Sequence, residues 1–164
     1  MTTLTSILYR IVNAAIKCVE TRNKVIDVCH SLLETVKAEA DPVLWMDLQT
    51  TLAVLRWRGD YHDREIGYSI LTSIVEFAPT SHMSIAWEIN ISRRSAAENM
   101  SQALLKDIID ERHDAREREA LLDRLEKLTR LDHHIVRDPS RDTRLALARA
   151  HHLAGNGAEA REIV

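Results

Sequence analysis

Aromatic residues are scarce in this chain: one Phe, three Trp and three Tyr among 164 residues. Glycine and proline are rarer still, at four and three. So few glycines exclude a Gly-rich phosphate loop or a dinucleotide fingerprint, and neither a GxSxG elbow nor an HExxH pair occurs. Cys18 and Cys29 are the only cysteines, eleven positions apart. On one helix that is about 16 Å along the axis, too far for a disulfide. They lack zinc-finger spacing and read as reduced thiols of a cytoplasmic protein. Positive charge is also short. The formal net charge is −3, against phosphate-neutralising nucleic-acid binding. No apolar run approaches the ~18–20 residues of a membrane span. The N-terminal stretch, interrupted by Arg10 and Asn13, reads as an amphipathic helix and not as a signal peptide.

What is present favours helix. Hydrophobic residues make up 45% and charged residues 29%, and Ala, Leu, Ile, Glu and Arg dominate. A chain of this length can bury roughly 70% of its unfolded surface and so can build a core without covalent staples. In residues 1–39 the apolar stripe of Leu4, Leu8, Ile11, Ala15 and Val19 is interrupted at 20–23. It resumes with Val25, Ile26, Cys29, Leu32, Leu33 and Val36. This is one bent helix or two joined by a turn at Thr21–Asn23, with two preferred.

Residues 41–79 read as a helical hairpin. Asp41 caps and Pro42 occupies the first helical position, where a missing N–H costs nothing. Trp45, Leu48, Leu52 and Leu55 form the inward stripe, Gly59-Asp60 ends the helix, and Ile66, Ile70, Leu71, Ile74 and Phe77 line its partner before Pro79. Residues 83–136 are less regular. A short helix holds Ile85, Ala86, Trp87 and Ile89. Capping boxes at Ser95–Glu98 and Asp114–Glu117 predict two further helix starts. Met100, Leu104, Leu105 and Ile108 face inward on the first, and Leu121, Leu122, Leu125, Leu128, Leu131 and Ile135 on the second.

The last segment, 138–164, "DPSRDTRLALARAHHLAGNGAEAREIV", echoes the hairpin. Asp41 and Asp138 each precede a proline, and Arg-Glu-Ile begins 23 residues after each, at Arg64 and Arg161. A glycine lies between, at 59 and 155, supplying the left-handed residue that ends a first helix.

These residues resemble a tetratricopeptide repeat, a helix–turn–helix unit of about 34 residues that stacks into a solenoid. With Gly155 as the turn glycine, Leu147-Ala148 match the large–small pair, and Ala160 falls where the two helices cross. His151 stands where the family usually has Tyr, and Arg144 at the early Trp position. In 41–79 the resemblance rests on Trp45, Leu52-Ala53, Gly59-Asp60-Tyr61 and Pro79, while Arg64 replaces the crossing Ala. About half the chain is covered. The resemblance implies an all-α fold of stacked antiparallel hairpins, a tetratricopeptide-like α-solenoid, with a repeat begun near residue 141 and unfinished. That stub belongs to a longer solenoid, is covered by a partner or another copy, or frays.

Chemistry-bearing clusters are few. Asp110, His113 and Glu117 share a helical face, as metal ligands can, but they sit in a charge run where i,i+4 pairs are commonplace. His133-His134 and His151-His152 suit helix ends and packing. Arg56, Trp57 and Arg58 either offer a cation and an aromatic to a partner or pack beneath the turn with the arginines along the surface. Arg93-Arg94 is too small a basic spot for nucleic acid.

The expectation is therefore a non-enzymatic protein without cofactor or metal that binds a protein or peptide segment in a helical groove. Asp47, Gln49, Arg56 and Trp57 would line the first hairpin's share of that surface, and Arg144 and His151 the last segment's. By size, charge and fold the chain is similar to the tetratricopeptide chaperones of bacterial type III secretion, which implies a secretion component as partner. The rest of a larger chain, with this segment regulatory, and a homo-oligomer are the other expected partners. A helical-bundle metalloenzyme is the remaining alternative.

Overall fold

The computed structural model describes residues 14–15, 18–77, 86–110, 114–135 and 141–163, with backbone alone over 132–135. Among these the protein is all-helical, with no strand. The helices are α1 Val19–Thr35, α2 Pro42–Trp57, α3 Tyr61–Glu76, α4 Ala86–Ile109, α5 Ala115–Ile135, α6 Arg141–Leu153 and α7 Gly157–Ile163. The chain forms two compact units, up to Ser92 and from Arg93, the division falling inside α4.

In the first unit α2 is central and packs against both α1 and α3. Asp41 starts it as its residue type dictates: the carboxylate accepts the Leu44 amide at 3.0 Å, and Pro42 fills the first turn. Leu52 and Leu55 meet Ala15, Ile26 and Cys29, with Val25, Leu33 and Ile70 around them. Met46, Leu48, Leu71, Ile74 and Val75 are also sealed from solvent. Full burial of each such side chain is worth about 1.5–3 kcal/mol. Trp45 is only half-buried and lies 6.2 Å, centroid to centroid, from the Phe77 ring.

The α2–α3 turn departs from expectation at Gly59. Gly59 is not left-handed; Gly155 alone has a positive φ among the described residues. Gly59 is needed for space, because a Cβ there would run into the Asp63 side chain. Asp60 opens α3 by accepting the Asp63 amide at 2.9 Å. The close approach of the two helices is at Gly67 and not at Arg64. A methyl group on Gly67 would lie 2.9 Å from the Ala53 carbonyl oxygen and 3.3 Å from the Trp57 amide nitrogen.

Two expected helix boundaries are absent. α1 runs unbroken through Thr21–Asn23, and its start is Cys18, which is extended. Arg22 ties that turn down by donating Nη1 to the Arg58 carbonyl at 2.8 Å. Ser95–Glu98 is not a capping box. α4 is one 24-residue helix, in which Glu98 pairs with Arg94 at 3.2 Å and Asn99 donates to the Ser95 carbonyl. The reason is periodic: Ile89, Ser92, Ala96, Ala97, Met100, Leu104 and Ile108 are all buried at helical spacing. A helix start at Ser95 would interrupt that stripe, and apolar burial outweighs about 1 kcal/mol of capping.

In the second unit α5 packs on α6 and α6 on α7. Here the capping box forms in full: the Glu117 amide donates to Asp114 at 2.8 Å, and the Asp114 amide donates to Glu117 at 3.1 Å. Leu121, Leu122, Leu125 and Leu128 of α5 are buried, as are Thr143, Ala146, Leu147 and Ala150 of α6. α6 ends in a Schellman turn. Asn156 donates to the His151 carbonyl at 2.9 Å and Gly155 to that of His152 at 3.2 Å, with Gly155 left-handed at φ 85°. No residue of α7 is buried. Among the described residues no helix is long and apolar enough to cross a membrane.

Candidate functional site

The residues proposed on α2 are engaged within the first unit. Arg56 donates Nη1 to Asp63 at 2.7 Å, and its Nη2 lies 3.2 Å from His30 Nε2. Trp57 is half-buried, its backbone and Cβ close to Gly67, with the Arg58 guanidinium 4.8 Å above its ring. Asp47 accepts a 3.4 Å hydrogen bond from Ser92. Burial pushes its carboxyl up, the Asp41 charge adds to the effect, and the Ser92 hydroxyl opposes it. Gln49 is half-buried on the same helix. Arg56 is thus brought together with Asp63 and His30, and Asp47 with Ser92, and each set has internal partners.

On α6, Arg144 is half-buried and His151 is buried, its Nε2 3.3 Å from Glu126 of α5. Their neighbours in sequence line an open groove. Thr143, Ala146, Leu147, Ala150 and His151 take the inward stripe, which turns Leu145, Arg149 and His152, at i, i+4 and i+7, the other way. The Schellman turn then sets α7 alongside, adding Gly157, Ala160 and Arg161. Ile109 at the end of α4 and Leu153 complete a groove of about 910 Å³. A second cavity of about 480 Å³ shares Ile109 and Leu153 and reaches Ala115, Arg118, Glu119 and Leu122 of α5.

Ile109, Leu145 and Leu153 are 51%, 37% and 55% exposed. They are all of the large apolar side chains exposed beyond Arg93 among the described residues, and all three border this groove. The ionisable side chains lining it are Arg149, His152 and Arg161, without a carboxylate. Ala148, Gly157 and Ala160 are small and leave room for side chains from outside. Arg161 is steadied by donating Nε to the Gly157 carbonyl at 3.1 Å. Only one signal for this site was present in the sequence, the apolar Leu145 and Leu153 standing off the inward stripe.

Other clusters offer less. Among the described residues no group of three His, Cys, Asp or Glu is placed to hold a metal. His113 and the side chains of His133 and His134 lie outside the described residues, and Glu117 is occupied by the Asp114 cap. Cys29 is buried, which raises its thiol pKa, whereas Cys18 is exposed. No protein-family model, curated protein sequence or solved structure matches the chain significantly.

Proposed function

We propose that the protein is a non-catalytic interaction module of stacked, tetratricopeptide-like hairpins whose groove on α6 and α7 takes an amphipathic helical segment of a protein. The observation that carries this reading is the convergence of Ile109, Leu145 and Leu153 on one surface. Clustered exposure of large apolar groups marks interaction surfaces, whereas scattered exposure does not. The rim of Arg149, His152 and Arg161 adds a sign preference, favouring a segment whose apolar anchors are flanked by carboxylates. A chaperone-like role in the cytoplasm, shielding such a segment until it is handed on, fits this chemistry.

The test is a designed helical peptide with Leu at i and i+4 flanked by Glu, compared with the same peptide flanked by Lys. In fluorescence anisotropy the Glu peptide is expected to bind at least about ten-fold more tightly, a difference of about 1.4 kcal/mol. Leu153→Asp should abolish the binding. Equal affinity for the two peptides, or binding unaffected by the substitution, contradicts the reading.

A further inference from the structure

We infer that His152 couples binding in the α6–α7 groove to pH, so that the preference for a carboxylate-flanked helical segment strengthens as pH falls through neutrality; this rests on the groove reading above. Three ionisable side chains line the groove: Arg149, His152 and Arg161. A guanidinium keeps its charge throughout the range in which proteins work. Imidazole does not, because histidine ordinarily changes its charge between pH 5 and 8. His152 is exposed, so water and an incoming segment both reach its ring.

The charged groups that share the groove with His152 are of one sign. Its own helix brings Arg149, α7 brings Arg161, and α4 brings only the apolar Ile109. The α7 carboxylates, Glu159 and Glu162, are exposed and outside the lining. Arg118 and Glu119 of α5 line the adjoining cavity and not the groove. His151 is buried on the inward side, its Nε2 3.3 Å from Glu126, and takes no part in the lining. Among the described lining residues, then, no carboxylate is present to meet a protonated His152, and the counter-charge comes with the ligand. A carboxylate brought against the ring favours its charged form. By reciprocity, a proton on His152 strengthens the hold on that carboxylate. The same proton opposes a segment flanked by lysines.

The test is fluorescence anisotropy of the full-length chain with the Glu-flanked and Lys-flanked peptides, both capped at their termini, from about pH 8 down to about pH 5.5. Glu and Lys side chains keep their charge across that window. The Glu peptide should bind about three-fold more tightly at the acid end, the scale of one exposed ion pair. The Lys peptide should move the opposite way, which a general change in the protein's stability would not produce. His152→Gln removes the charge change at an exposed position. It should flatten both profiles and leave Glu-peptide binding at the alkaline end as it was. His152→Arg should hold the Glu peptide near the tight end at every pH. Calorimetry in two buffers of different ionisation enthalpy should find protons taken up as the Glu peptide binds near neutrality, and none with His152→Gln. A flat wild-type profile, or a slope that survives in His152→Gln, overturns the inference. The groove reading then still stands if Leu153→Asp abolishes binding. If the Glu peptide binds at no pH, both fall.

Discussion

Two stretches of this molecule share a framework and come to different ends. In both, a first helix leads to a glycine-containing turn, and Arg-Glu-Ile lies in the next helix. In α2–α3 the second helix continues through Gly67, Tyr68, Leu71, Ile74 and Val75, all buried, and the pair closes tightly. In α6–α7 the second helix has seven residues, none of them buried, and the outward face of α6 stays open. In α2–α3 the residues beyond Arg-Glu-Ile carry the packing of the second helix. One hairpin is closed as core, and the other borders the open groove that the proposed function takes as a docking face.

The largest effect expected from this contrast is in the cores. Leu52→Ala removes a side chain shared by α1 and α2 and should cost about 2–5 kcal/mol in urea unfolding. Leu153→Ala, at the open groove, should stay within about 0.5 kcal/mol of wild type. Comparable losses from the two would erase the distinction.

Next come the glycines. Ala is the better helix former by about 1 kcal/mol, yet Gly67→Ala should destabilise by about 1–3 kcal/mol because the new methyl group meets the Ala53 carbonyl. Gly157→Ala meets nothing within 4 Å and should be neutral or slightly stabilising. Gly155→Ala should lose about 1 kcal/mol through its left-handed φ. Melting temperatures should therefore fall furthest for Gly67→Ala, less for Gly155→Ala and least for Gly157→Ala. Any other order would contradict the assignment of tight and open turns.

A smaller effect separates the charges. The carboxyl of Asp47 is raised by burial above its ordinary 3.8. Between that value and its higher native pKa the folded state binds more protons than the unfolded state, so this group's contribution makes stability fall as pH rises through the window. Above the window the cost persists. Asp47→Asn removes it, so the variant should gain on wild type as pH rises from about 3.5 to neutrality. The gain should be under about 1 kcal/mol, since the group is only half-buried. An unchanged difference across pH would contradict the burial argument.

The least perturbing comparison is between the two thiols. Hydrogen bonding by Thr21, side chain then amide, holds the exposed Cys18 below the ordinary thiol value, and burial pushes Cys29 up. Iodoacetamide should modify Cys18 alone in the native protein and reach Cys29 only in urea. Equal rates would place Cys29 outside the core.

The range of the forces sets how much of the fold and site is legible from residues alone. Asp41-Pro42 and Asp114–Glu117 act within one helical turn and were legible, as was the Gly155 turn. Ser95–Glu98 carries the same local pattern, and there the buried stripe from Ile89 to Ile108 overrides it. Thr21–Asn23 is polar enough to suggest a turn, but Arg22 has a distant partner in the Arg58 carbonyl that no local pattern reveals. Gly67 is read as a weak helix residue until Ala53 is seen opposite. The groove was the least legible feature. Ile109 joins Leu145 and Leu153 only through tertiary packing, and the choice of Arg144 and His151 fell on positions adjacent to the groove-lining ones.

The most direct test of the central claim is an amide chemical-shift titration of the full-length chain with the Glu-flanked helical peptide. The account predicts perturbations gathered at Ile109, Leu145 to Leu153 and Gly157 to Arg161, with α2 and α3 unmoved. Perturbations centred on α2 and α3, or none at saturating peptide, would contradict it.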